Sequence, residues 1–311
     1  MIEVIVFLLA ALFILAKSSQ VVMDNALLLA RFFRISEMAA GFVLVSVSTS
    51  LPELVVGIIA ALEGQEGIVV GNVFGSNIAD ILLVLGISVA AAGAIYVKKK
   101  QVGTLVKILL VTSVLPLVML LNVYPSFYGI GLLLVFVAYV YYVLKERIPL
   151  EAAGEVVSGR KAVFSAFLFL FGVAFVIASS KFAVDYAVQL ATLLGVSKAF
   201  IGATIIAVGT SLPELSVDLV AVLRKHPELA MGDILGSCIT NLTLVLGTSL
   251  VIGSGAFNLL AFINLVIFML VANVVLWYFI RQGKLTRRDA FVLLALYVIF
   301  LVSAVSIEQK F

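Results

Sequence analysis

The chain has 311 residues, of which 64% are hydrophobic and 12% are charged, about half the charged share of a soluble domain, which is about 25%. So little polar surface excludes a sizeable water-soluble domain and, with it, most soluble enzymes. A net charge of +3 and a single cysteine, Cys238, exclude a nucleic-acid-binding surface, an intrachain disulfide framework and a multi-cysteine metal site.

The first apolar stretch begins almost at Met1 and runs past Leu15 with no Lys/Arg-rich start and no small-residue cleavage site. It reads as a retained helix and not as a signal peptide. Apolar segments follow the order 2–32, 37–62, 67–93, 103–122, 126–144, 161–194, 198–224, 228–254, 258–280 and 288–306. At about 20 residues per span they predict an all-α polytopic membrane protein with ten transmembrane helices.

The connections after the odd-numbered segments carry Arg31, Arg34, Lys98, Lys99, Lys100, Lys107, Lys145, Arg147, Arg160, Lys161, Arg224, Lys225, Arg281, Lys284, Arg287 and Arg288, which are 16 of the 20 basic residues. Positive charge stays on the cytoplasmic side, so both termini are expected outside the cytoplasm of a multi-pass protein of the cell membrane.

An internal repeat comes next. With an offset of 161 and no gap, Gly41 to Gly86 matches Gly202 to Gly247 at 19 of 46 positions. Thr49-Ser50-Leu51-Pro52-Glu53-Leu54 returns as Thr210-Ser211-Leu212-Pro213-Glu214-Leu215; Gly71, Gly75, Ser76, Ile78 and Gly86 return as Gly232, Gly236, Ser237, Ile239 and Gly247; Asp24 pairs with Asp185. Each half, residues 1–150 and 151–311, holds five predicted helices. An odd number makes the halves cross the membrane in opposite senses, so the reading is two inverted five-helix repeats hinged near 145–161, an arrangement suited to alternating access.

Thr-Ser-Leu-Pro-Glu is an unusual sequence for a helix in lipid. Pro52 cannot donate to the Ser48 carbonyl, nor Pro213 to that of Gly209, and each ring tilts the carbonyl that follows. Freed carbonyls are tolerated at membrane depth where they line a cavity or bind a cation. The glutamate beside each proline costs about 2.5 to 3.5 kcal/mol on insertion scales, so its presence twice points to function.

The second matched element is Gly71-Asn72-Val73-Phe74-Gly75-Ser76-Asn77-Ile78-Ala79-Asp80, returning as Gly232-Asp233-Ile234-Leu235-Gly236-Ser237-Cys238-Ile239-Thr240-Asn241. Its glycines form small-xxx-small pairs that let backbones approach. Ser76 and Asp80, like Ser237 and Asn241, lie one turn apart on one helical face. Pooling both copies gives three carboxylates (Glu53, Asp80, Glu214), the carboxamide of Asn241 and the hydroxyls of Thr49, Ser50, Ser76, Thr210, Ser211 and Ser237. Asp233, in place of Asn72, is either a supporting acid behind the ligands or a helix-start residue favoured by the dipole.

All these donors are hard oxygens. Without clustered Cys or His, Zn and Cu are disfavoured, whereas such a cage suits Ca²⁺ at six to eight ligands, and hydroxyls and carbonyls serve Na⁺. Three ionised acids balance three Na⁺, or one Ca²⁺ with one proton. Mutually exclusive occupancy of one cage by Ca²⁺ or Na⁺ is what an antiporter requires.

On these two motif pairs the chain resembles the cation/calcium antiporter superfamily, and its prokaryotic sodium/calcium exchangers in particular, over all ten segments. The resemblance implies that Glu53 and Glu214 bind Ca²⁺ and Na⁺ at the centre and that Thr49, Ser50, Thr210 and Ser211 add hydroxyl or carbonyl ligands. It further implies that Ser76 and Ser237 complete flanking Na⁺ sites, that Asp80 and Asn241 line the central ones, and that helices 1 and 6 slide across the other eight. The first copy departs from the family pattern: it has Ser46-Val47-Ser48-Thr49 where the second has the family's Ala207-Val208-Gly209-Thr210. That difference bears on stoichiometry and on the choice between Na⁺ and protons.

The expected function is secondary exchange of Ca²⁺ for Na⁺, with Ca²⁺/H⁺ exchange, K⁺-dependent exchange and a passive cation channel as alternatives. No nucleotide motif, no nucleophile–base constellation and no cofactor site is read, so an enzyme is not expected. The partners are the bilayer and the ions. Lys17 is expected to neutralise Asp24, Lys181 to neutralise Asp185, and His226 to be exposed in a basic turn.

Overall fold

The computed structural model describes residues 2–64, 66–96, 99–117, 125–145, 157–194, 209, 211–253 and 263–308. It is a bundle of helices: α1 (Ile2–Phe33), α2 (Glu37–Thr49), α3 (Leu51–Leu62), α4 (Ile68–Ala92), α5 (Lys99–Val114), α6 (Pro125–Lys145), α7 (Gly159–Leu193), α8 (Leu212–Leu223), α9 (Pro227–Ile252), α10 (Ile263–Arg281) and α11 (Arg287–Glu308). A two-stranded antiparallel ribbon joins β1 (Ala94–Tyr96) to β2 (Lys284–Thr286), with Ile95 opposite Leu285.

Local sequence explains the boundaries. Ser36 caps α2 by accepting from the Ala39 amide at 3.0 Å, and Ser158 caps α7, as N-terminal hydroxyls do. At the end of α4, Gly93 takes φ 80°, a conformation that glycine adopts without a Cβ clash.

Six helices are long and apolar enough to cross a membrane, and a seventh span arises if α2 and α3, bent by 44°, count as one. Of the other predicted spans, 103–122 begins as the shorter apolar helix Val102–Leu117 and 288–306 falls on α11. The segment 198–224 shows its second part as α8, and 198–208 lies outside the described residues. The surface is apolar, as a lipid-facing surface must be: Phe13, Phe164, Phe167 and Leu170, on α1 and α7, are each more than 60% exposed.

Contacts follow the offset of 161. The C-terminal end of α9 packs on α3, and the C-terminal end of α4 packs on α8; α6 packs on α9, and α11 on α4. α1 and α7 lie along each other, with Phe7 stacked on Tyr186 at 5.3 Å. At the centre α2 meets α9 backbone to backbone. A Cβ on Gly232 would strike the Met38 carbonyl, and one on Gly236 would lie 2.5 Å from Ser46 Oγ. The close approach expected of the second copy's glycine pair is therefore present. At Gly71 and Gly75 no described atom lies within 4 Å.

Candidate cation-binding site

Pro52 follows a break between α2 and α3, and α8 likewise starts just before Pro213. Ser50 and Ser211 stand at the two breaks with near-identical backbone angles, φ −79°, ψ 6° and φ −92°, ψ 11°. Pro52 and Pro213 take the second position of the new helix, where a missing amide hydrogen costs nothing. Glu53 and Glu214 therefore sit in a first helical turn, where the positive end of the helix dipole faces a carboxylate. The break at Ser50 leaves the last carbonyls of α2 without a continuing ladder. Two half-helix ends meeting at bilayer depth are a recurrent ion-site construction.

The second element also interrupts regular helix. A π-helical turn starts at Asp80 in α4 (Asp80–Val84) and another at Asn241 in α9 (Asn241–Val245). Such bulges concentrate at functional sites.

Nearly all the candidate donors are buried. Relative exposure is 1% for Glu53, 2% for Glu214, 1% for Asp80 and Asn241, and 5% or less for Thr49, Ser50, Ser76, Ser211 and Ser237. Thr210 lies outside the described residues. Buried polar atoms are normally hydrogen-bonded. Here, among the described residues, Glu53 Oε2 and Glu214 Oε2, Ser50 Oγ and Ser211 Oγ, and Asp80 Oδ1 and Asn241 Oδ1 all lack a partner. These six, out of sixteen unpartnered buried side-chain atoms among the described residues, fall in pairs related by the repeat. Glu53, Asp80 and Asp233 are close enough to Glu214 for their charges to act on it.

Two acids were missing from the sequence-based set or ambiguous in it. Asp233 is fully buried, and both Thr49 Oγ1 and Ser237 Oγ donate to its Oδ1 at 3.4 Å; it is a supporting acid of the pocket and not merely a helix-start residue. Asp218, also fully buried, was not anticipated. Its counterpart in the first copy is Gly57, so matching the repeats hid it. The signal was its position one turn after Glu214 in an apolar helix, the same i, i+4 relation that joins Ser76 to Asp80.

Asp218 and Asp233 stand on the packed helices α8 and α9, close enough for the charge of one to act on the other. Two carboxylates have no donor between them, and both Asp218 oxygens lack a partner among the described residues.

Five carboxyl groups thus share one interior, where none of the described buried residues is Lys, Arg or His. Two ionised acids about 5 Å apart repel by about 3 kcal/mol at an effective dielectric of 20. Mobile cations are the natural compensation. Among the described residues no three His, Cys, Asp or Glu side chains converge on one point, so a cation here must draw on hydroxyl, amide and carbonyl oxygens as well as on acids. Cys238 Sγ lies 4.0 Å from Asp80 Oδ2, at the edge of the pocket.

A cavity of about 450 Å³ opens beside the pocket, lined by Pro52 and Pro213 at the breaks, Gly209, and Ile177, Lys181 and Asp185 of α7. Two charge expectations need correction. Asp24 pairs with Arg224 at 2.8 Å, while Lys17 lies over the Phe13 ring. His226 is partly buried against Glu37 at 3.0 Å, because the turn after α8 folds onto the start of α2.

The Sodium/calcium exchanger protein family model matches residues 3–145 and 164–305. The chain belongs to this family. Its relatives include the sodium/calcium exchanger MaX1 of Methanosarcina acetivorans, 30% identical over 95% of this chain and 96% of that protein. An uncharacterized membrane protein of Methanocaldococcus jannaschii is 31% identical over 88% and 89% of the two chains. Among solved structures, the sodium-calcium exchanger NCX_Mj soaked with 2.5 mM Na⁺ and 0.1 mM Ca²⁺ superposes with a TM-score of 0.83 at 27% identity, over 97% of this chain and 99% of that one. The chain is thus a multi-pass membrane antiporter of cations, a transporter by family.

Proposed function

We propose that the protein exchanges Ca²⁺ for Na⁺ by alternating access, with Glu53 and Glu214 at the centre of one shared cage. One observation carries this reading: buried, unpartnered oxygens occur in pairs related by the repeat, at Glu53 and Glu214, Ser50 and Ser211, and Asp80 and Asn241. Duplicated scaffold would duplicate packing, not unsatisfied hard donors. Thr49, Ser76, Ser237 and Thr210 complete the proposed ligand set. Ca²⁺ takes six to eight such oxygens, and the same hydroxyls and carbonyls accommodate Na⁺ once Ca²⁺ has left. Relatives named as sodium/calcium exchangers over nearly the full chain support the assignment.

The topology proposed with it is ten spans in two inverted halves, 1–150 and 151–311, with both termini outside the cell membrane. The offset-related contacts and the basic connections support it. α1 and α7, packed on each other with apolar outer faces, are the pair proposed to slide across the rest.

Exchange of Ca²⁺ for H⁺ is the second reading. It is favoured by the five buried carboxyl groups, whose full charge exceeds what one Ca²⁺ offsets. The test is ⁴⁵Ca²⁺ uptake into proteoliposomes loaded with Na⁺, compared with a pH gradient and with no gradient. Uptake driven by the Na⁺ gradient is expected. Uptake driven by pH and indifferent to Na⁺ would replace Na⁺ by H⁺, and equal uptake without any gradient would mean a channel.

A further inference from the structure

The ligand set of the cage just described includes three of the five buried acids and leaves out Asp218 and Asp233. Asp218 lies one turn beyond Glu214 on α8, and Asp233 one turn before Ser237 on α9. Because α8 runs towards Arg224 and α9 runs back from it, both acids lie on the Arg224 side of the centre, offset by about 5 Å, the pitch of one turn. α8 and α9 pack directly, which sets the two carboxyl groups against each other.

Both are fully buried. Both Asp218 oxygens and Asp233 Oδ2 lack a hydrogen-bond partner among the described residues. The other Asp233 oxygen collects the hydroxyls of Thr49 and Ser237. The first copy has nothing comparable. There the positions are Gly57, where a Cβ would lie 2.7 Å from Ser249 Oγ, and Asn72, whose amide donates to the Glu53 carbonyl at 2.9 Å. The pair is therefore not inherited scaffolding of the repeat.

We propose that Asp218 and Asp233 form a second Ca²⁺ subsite, placed between the central cage and the Arg224 end of α8. Charge selects the ion. One divalent cation neutralises two facing carboxylates, whereas an alkali ion would leave a net negative charge in a low-dielectric interior. The donors, two carboxylates with hydroxyls at their edge, are hard oxygens of the kind Ca²⁺ prefers. The subsite would load Ca²⁺ from the Arg224 side and hand it to the centre, and repulsion between two adjacent divalent ions would keep either from being held too tightly. It rests on the central cage binding Ca²⁺, but it is separable by experiment.

The experiment is ⁴⁵Ca²⁺ equilibrium binding to the purified, detergent-solubilised full chain in Na⁺-free buffer, up to millimolar Ca²⁺. The unaltered protein is expected to bind two Ca²⁺ per chain. The variant Asp218→Asn with Asp233→Asn is expected to bind one, and so is Glu53→Gln with Glu214→Gln. One Ca²⁺ in the unaltered protein, or no change in the Asp variant, overturns the subsite; a proton shared between the two carboxyls would give that result. Two Ca²⁺ retained in the Glu variant, with one lost in the Asp variant, would remove the central cage and keep the subsite. Should the Asn variant not elute as a single folded species, Asp218→Gly with Asp233→Asn, which copies Gly57 and Asn72, is expected to show the same loss of one Ca²⁺.

Discussion

The two copies of the repeat largely agree at the proposed cation site and disagree one turn away from it. At the centre the first copy offers Ser50, Glu53, Ser76 and Asp80, and the second offers Ser211, Glu214, Ser237 and Asn241, all buried. One turn out, the first copy has Gly57 and Asn72, a hole filled by a neighbour and a side chain that ties down the Glu53 carbonyl. The second has Asp218 and Asp233, two acids facing each other. Further out still, Asp24 meets Arg224, while the positions related by the repeat hold Asp185 and Glu63, which cannot make that ion pair. Symmetry is kept at the proposed cation site and lost one turn out from it. A transporter whose two faces meet different ion concentrations gains from that arrangement.

The largest expected effect tests the symmetric part. Glu53→Gln and Glu214→Gln each remove one charged ligand. The loss of a contact of about 3 kcal/mol corresponds to about 100-fold in affinity. Both variants are expected to abolish Na⁺-driven ⁴⁵Ca²⁺ uptake and to do so to a similar extent. A variant that retains more than a tenth of the uptake would show that its glutamate stands outside the site, and an unequal pair would show that the centre is less symmetric than its burial.

A smaller effect is expected where the centre itself is unequal. Asp80→Asn lowers the charge by one and is expected to weaken Ca²⁺ about 10-fold, read as the half-saturating concentration for uptake; one decade corresponds to about 1.4 kcal/mol. Adding Asn241→Asp restores the total and moves the acid into the other half. Recovery of most of the affinity in the double variant would mean that total charge governs binding. No recovery would mean that the acid must stand in the first copy, on the π-helical turn of α4.

Next comes the flank of the first copy. Asn72→Asp would give both copies the same residue while removing the donor to the buried Glu53 carbonyl. The Glu53 carbonyl keeps its partner within α3, but a carboxylate in place of the donor loses a hydrogen bond worth about 0.5 to 1.5 kcal/mol and sets two acceptors against each other, so thermal unfolding in detergent is expected to occur at lower temperature. The opposite change, Asp233→Asn, supplies a donor to a buried cluster of acids and is expected to leave the unfolding temperature unchanged or to raise it. A fall in both variants would mean that shape, not charge, is what this position requires.

How much of this was legible in the sequence follows from the same comparison. The centre was readable because the two copies repeat it: an acid beside a proline, and a hydroxyl one turn from an oxygen donor, seen twice in a lipid-buried chain. Asp218 was not readable by that route, because Gly57 opposite it breaks the match; only the turn-by-turn spacing from Glu214 pointed to it. Asp233 was visible but had two meanings, and only the approach of Thr49 from α2 decides between them. Ion pairs across the bundle were out of reach, since periodicity pairs residues within a helix. Lys17 was matched to Asp24 along α1, when the partner is Arg224, 200 residues away. The number of spans depended on apolar length, which the break at Ser50 obscures, because it divides one apolar segment into two shorter helices bent by 44°.

The smallest expected effect concerns that outer ion pair. Arg224 and Asp24 are 41% and 54% exposed, and exposed pairs contribute at most about 1 kcal/mol and weaken with salt. Their place gives even this small term a reading beyond stability, because α1 belongs to the proposed sliding pair and α8 to the body that holds Glu214. A contact made in one state and broken in the other shifts the balance between states by its own free energy, and 1 kcal/mol shifts it about five-fold. Exchange rates of Asp24→Asn, Arg224→Gln and the combined variant, measured at low and high ionic strength, form a double-mutant cycle. A coupling that appears at low salt, fades at high salt and alters the rate while leaving Ca²⁺ affinity unchanged would make the pair a latch on the sliding helices. A coupling of zero at low salt would reduce it to a surface contact, and the functional asymmetry outside the centre would then lie in Asp218 and Asp233.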